Sequence, residues 1–141
     1  LSIFSYFWWI PCWWTFLFVI KCDMSILEKK SYDFAIRIVK CNDYLQTEKK
    51  EYILSKQLLR SGTAIGALIA EGKYAQSKLD FINKLYVSLK EANETRYWLR
   101  LLKDCSYLEK NIADSLLNDI DGLIKMLSAS TKTAKENNHE K

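Results

Sequence analysis

Residues 57–72 read QLLRSGTAIGALIAEG. The run is helical in pattern, yet Gly62, Gly66 and Ala70 recur every four residues and so share one stripe. Each glycine inside a helix costs roughly 1 kcal/mol against alanine, so a helix that keeps two of them needs another backbone to approach very closely. The segment offers no nucleophile, base or metal-ligand set. It reads as a docking surface, and the chain around it has to supply the partner.

Working outward, the period stays helical from Met24 onward, with no strand-like alternation and no proline after Pro11. Residues 31–46 predict a first helix, with Phe34, Ile38, Cys41 and Leu45 on its inner stripe. The signature run lies in a second helix over residues 50–72, where Leu54, Leu58, Ile65 and Ile69 flank the small stripe and Gly72 suits the C-terminal cap. Ser77 and Asp80 approximate a capping box and start a long third helix reaching about Tyr107. Its inward positions are Phe81, Leu85, Ser88, Ala92, Thr95, Leu99 and Leu102, small in the middle and large at the ends. The Ser88, Ala92 and Thr95 face is the expected partner of the glycine stripe. Residues 113–128 predict a fourth helix, with Leu116, Ile120, Leu123 and Leu127 buried. The fold expected is all-α, an antiparallel up-down-up-down four-helix bundle.

Both ends read differently from this core of residues 24–130. Residues 1–20 carry no charge and hold nine of the nineteen aromatics. An uncharged stretch of that length can span a bilayer, but Pro11 interrupts it, no positive region precedes it and no small-residue cleavage site follows. With Met24 just before the first well-patterned helix, residues 1–23 read as an apolar leader from upstream translation or a mis-set start, with a membrane anchor as the minority reading. Residues 131–141 (TKTAKENNHEK) read as a disordered polar tail.

The net charge is +4 and the sequence pI about 8.8, which permits nucleic-acid binding without demanding it. The four cysteines show no paired spacing and the one histidine, His139, lies in the tail, so no metal or cofactor is expected. Cys41 and Cys105 are expected to act as small core hydrophobes. A di-metal bundle centre needs histidines inside its helices, and Glu91 with Glu94 has no accompanying active-site chemistry, so no catalytic residue is assigned.

The charged residues nearest the small stripe are Arg60 and Glu71, facing Glu91 and Glu94 on the third helix. A structural ion-pair network is the commoner outcome of that arrangement, and a phosphate contact by Arg60 the rarer one. On the third helix Lys78, Arg96, Arg100 and Lys103 share one flank, with Lys78 more than four turns from the others. Such a flank is usually just solvated. In a ring-shaped oligomer it would repeat, and its field would add into a phosphate track. Tyr97 and Trp98 adjoin it, and filling a helix or subunit interface outranks base stacking for them.

The signature run 57–72, together with Phe81-Ile-Asn-Lys84-Leu and Leu89-Lys90-Glu91-Ala92-Asn-Glu94-Thr-Arg-Tyr97-Trp98-Leu-Arg-Leu-Leu102, resembles the four-helix-bundle proteins also called 23S rRNA intervening-sequence proteins. The similarity covers about residues 27–127. Relatives usually carry serine at Ala64 and asparagine at Leu68, so any role of those polar groups is in doubt here. The resemblance implies a cytoplasmic bacterial protein beginning near Met24, a homopentameric ring and no enzymatic activity. Some relatives are encoded within ribosomal RNA genes, and the accessory protein of diversity-generating retroelements, similar in fold, binds nucleic acid and a reverse transcriptase. The functional expectation is therefore a non-enzymatic bundle that binds RNA or DNA and partners a nucleic-acid enzyme. The alternative is a protein-interaction scaffold without nucleic-acid contact.

Overall fold

Apolar residues at helical spacing, with no breaker between residues 24 and 47, leave the backbone to satisfy its own hydrogen bonds in long helices. The computed structural model describes residues 12–139, with side chains over residues 24–137. It contains α1 (Cys12–Thr47), α2 (Leu54–Gly72), α3 (Lys78–Asp104) and α4 (Lys110–His139). Residues 1–11 of the apolar leader and residues 140–141 of the tail lie outside the described residues. Among the described residues no helix is long and apolar enough to cross a membrane.

The four helices bury one continuous core. All four members of the predicted first-helix stripe, Phe34, Ile38, Cys41 and Leu45, are in it, as are Leu116, Ile120, Leu123 and Leu127 of α4. On α3 the stripe holds except at its start, where Ile82 is buried and Phe81 only half-buried. Burial pushes the Cys41 thiol up to about 11, against the opposing pull of Arg37, so it stays a protonated hydrophobe. Cys105 departs from expectation: it follows α3 as its C-terminal cap and is exposed.

Helix limits differ from the sequence expectation for local reasons. The first helix begins well before residue 31, and Leu27 is fully buried while Met24 packs on the core. The second begins at Leu54 rather than Lys50, because Lys50 adopts a left-handed φ of 52°. The chain therefore turns there before the helix can start. The Glu51 amide donates to Leu45 O at 3.0 Å and closes the end of α1. Ser106, at φ 61°, does the same after α3, which stops at Asp104, short of Tyr107. Gly72 is the last residue of α2 and has no positive φ. Its missing side chain instead gives room to Phe81, whose ring would lie 3.4 Å from a Cβ there. The fourth helix continues to His139, so the polar stretch after Ser130 is not a loose tail over its described part. Thr131 is buried and returns its hydroxyl to Leu127 O, and Lys78 Nζ donates to Asn137 O at 2.5 Å. The Lys78 contact extends the α3–α4 seam past the last leucine.

The glycine stripe faces α1, not α3. An ideal Cβ on Gly62 would sit 2.9 Å from both Cγ1 and Cγ2 of Ile38, and one on Gly66 would sit 3.5 Å from the Ser31 carbonyl oxygen. Ala70 is exposed. What meets the Ser88, Ala92 and Thr95 face is the stripe one residue earlier on α2. Thr95 Oγ1 donates to Ser61 Oγ at 3.0 Å, and Ser88 Oγ to Ile65 O at 3.1 Å, all fully buried. Two stripes about 100° apart thus serve α2's two neighbours: its own small residues Gly62 and Gly66 admit α1, and the small Ser88, Ala92 and Thr95 of α3 admit the larger stripe of Ser61 and Ile65. Gly122 has no such reason: a Cβ there would meet nothing within 4 Å. Gly122→Ala should therefore raise stability by about 1 kcal/mol, read as a higher midpoint in urea unfolding with an unchanged slope.

Candidate nucleic-acid interface

The cationic flank of α3 is built by helical spacing, but most of it is occupied from within the molecule. Arg96 and Lys103 stand seven residues apart, and on α4 Asp121 and Asp114 do the same. With the helices running in opposite directions, both pairs close in a single register, Arg96 to Asp121 at 3.4 Å and Lys103 to Asp114 at 2.5 Å. Arg96 also donates to Asn93 Oδ1 at 3.0 Å. Lys78 is spent on the Asn137 carbonyl and lies far along the helix. Among the described residues Arg100 has no carboxylate within 4 Å, and it is exposed. The five cations singled out in the sequence therefore do not form one patch.

Arg60 takes part in an α2–α3 network. It reaches Glu91 Oε2 at 3.3 Å and ion-pairs with Glu94, whose Oε1 also accepts the Trp98 indole N–H at 3.1 Å. The Trp98 hydrogen bond, followed by Arg60, holds the Glu94 carboxyl below the usual carboxylate range despite partial burial. Glu71 is bound separately, by Lys84 at 2.6 Å. Trp98 is half-buried against the core, whereas Tyr97 is 59% exposed, the two rings forming a T-shaped pair with centroids 5.0 Å apart.

Two local features of the sequence acquire their role only in the folded chain. Glu51, 8% exposed, accepts the N–H groups of Ile53, Leu54 and Ser55 at 3.0, 2.8 and 2.7 Å and so caps α2 from outside it. The matching seven-residue spacings on α3 and α4 were the signal for the cross-helix pairs. On the opposite side, Ser31, Tyr32, Ala35, Gly66, Ala67 and Ala70 line an open, mainly apolar groove between α1 and α2. Among the described residues no three His, Cys, Asp or Glu side chains converge as metal ligands would.

The sequence model of the family described as 23S rRNA-intervening sequence protein matches residues 24–129, three-quarters of the chain. The chain belongs to that family. A crystal structure of a protein of unknown function from the S23 ribosomal protein family, from Bacteroides thetaiotaomicron VPI-5482, is 47% identical, with a TM-score of 0.77. The alignment covers 78% of this chain and 98% of that one. No curated protein matches the chain. Seen as a 23S rRNA-intervening sequence protein, the chain places its two departures, Ala64 and Leu68, on α2 in half-buried positions. Apolar residues at both are compatible with that packing, because neither leaves a buried polar group without a partner.

Proposed function

We propose that this 23S rRNA-intervening sequence protein is a non-enzymatic, cytoplasmic bacterial bundle of up-down-up-down topology that assembles with copies of itself, as a homopentamer, and binds structured RNA. The observation that carries the reading is Arg100. It stands exposed on α3 with no carboxylate partner among the described residues, in a family whose description is tied to ribosomal RNA. The Arg96–Asp121 and Lys103–Asp114 pairs narrow the contact, since each would have to open before its cation reached a phosphate. A role beside a reverse-transcribing or RNA-processing enzyme belongs to the same reading. Filter binding to 23S rRNA fragments at rising salt tests it. Affinity should fall with salt, and Arg100→Ala should lower the slope of log K against log salt by roughly 0.7 to 0.9. No affinity at low salt, or no salt dependence, refutes it.

The second reading is a protein-interaction scaffold that touches no nucleic acid. The apolar groove between α1 and α2, with the internal pairing of Arg60, Arg96 and Lys103, favours it. Pull-downs with and without nuclease separate the two: partners retained after digestion support the scaffold, and partners lost support the RNA reading.

A further inference from the structure

Tyr97 is the most exposed of the four aromatics of α3. It projects from the C-terminal third of a long helix with 59% of its surface open, yet the residues around it are tied down. Its ring leans on Trp98 at an interplanar angle of 73°. Trp98 is fixed by its hydrogen bond to Glu94, and Glu94 by its ion pair with Arg60 of α2. An exposed aromatic on such a support loses little conformational freedom when something stacks on it. One helical turn further along the same helix stands Arg100, exposed and without a carboxylate partner among the described residues.

Resting on the RNA reading above, we infer that Tyr97 is a stacking platform for one unpaired nucleobase, with Arg100 taking an adjacent phosphate. The ligand class is therefore an RNA loop or bulge rather than a continuous duplex, because a paired base is stacked in its helix and cannot lie on a protein ring. The chemistry matches the two residues. A base–aromatic stack needs an open π-face and tolerates any base, while the guanidinium supplies charge without reading sequence. The four internally paired cations make the site local, one nucleotide step wide, and not a long basic track.

The test uses the full chain and a 23S rRNA hairpin carrying 2-aminopurine in its loop, whose emission falls when the base stacks. The wild-type protein should quench it. Tyr97→Leu, which keeps apolar bulk without a π-face, should abolish the quench and weaken binding roughly tenfold, with the salt slope unchanged. Tyr97→Trp should keep both, and circular dichroism should show all variants folded. Equal affinity and equal quenching for Tyr97→Leu would overturn the platform and leave the RNA reading standing. Absence of binding by the wild type would overturn both. If Tyr97→Leu instead alters sedimentation of the protein alone and leaves RNA affinity untouched, the ring belongs to a protein contact and the inference is wrong.

Discussion

Glu51→Ala should lose about 2–3 kcal/mol of stability at neutral pH, far more than a surface carboxylate normally contributes. Three amides of the α2 N-terminus converge on that one side chain, two on Oε1 and one on Oε2, and Ile53 at the cap position offers no side-chain acceptor of its own. Removing the carboxylate leaves those N–H groups in a largely buried turn. Desolvation acts to raise the Glu51 pKa, but the bonds from Leu54, Ser55 and Ile53 together outweigh it and bring the group below its ordinary value of 4.5. The sign of the pH dependence follows. A carboxyl whose folded pKa is depressed contributes its stability above the unfolded pKa and loses it as pH falls through the folded value. The gap between wild type and Glu51→Ala, measured by urea unfolding, should be full at pH 7, begin to shrink below about pH 4.5, and narrow further in stronger acid. Glu51→Gln, which keeps an acceptor without the charge, should fall between them. A gap that does not change with pH would show that the ionised form is not what holds the turn.

Gly62→Ala should destabilise by about 2 kcal/mol, although alanine is the better helix former by roughly 1. The new methyl would lie 2.9 Å from both γ-carbons of Ile38. A β-branched residue in a helix has essentially one χ1 rotamer, so Ile38 cannot swing both branches aside and α1 itself must shift. Gly66→Ala is the internal control. Its Cβ meets the Ser31 carbonyl at 3.5 Å, an ordinary contact, and the substitution should be neutral or mildly stabilising. Gly62→Ala combined with Ile38→Ala should cost less than the sum of the two single changes, because the second removes the obstructing branches along with its own core packing. Equal effects at Gly62 and Gly66 in equilibrium unfolding would contradict the geometry.

The apolar stripes could be read from sequence because burial imposes a helical period on Phe34, Ile38, Cys41 and Leu45 and on their counterparts in α4. Direction could not. Gly62 and Ser61 are neighbours in sequence and only about 100° apart around α2, and which of them meets α1 and which meets α3 depends on how the helices are arranged around the axis. No periodicity encodes that arrangement. The helix starts were missed where the signal is tertiary: Lys50 takes a positive φ without being glycine, and Glu51 caps from three residues outside α2. The candidate interface shows the same division. The α3 flank of Arg96, Arg100 and Lys103 is a consequence of spacing, but the neutralisation of its two outer members depends on the α3–α4 register. Exposure of Tyr97 beside half-buried Trp98 likewise required the neighbouring helices to be in place.

The paired spacings on α3 and α4 act as a vernier. Sliding α4 by two turns so that Asp121 met Lys103 would leave Arg96 opposite Ser128, and sliding it the other way would bring Asp114 to Arg96 and leave Lys103 opposite Tyr107, before α4 begins. Each misalignment forfeits a pair, while the leucines beneath would still find other leucines. Between α2 and α3 the Ser61–Thr95 and Ile65–Ser88 contacts penalise slippage in the same way, at fully buried positions. Adhesion and alignment are thus carried by different atoms: interchangeable side chains hold the helices together, and a few polar ones fix where each helix stops sliding.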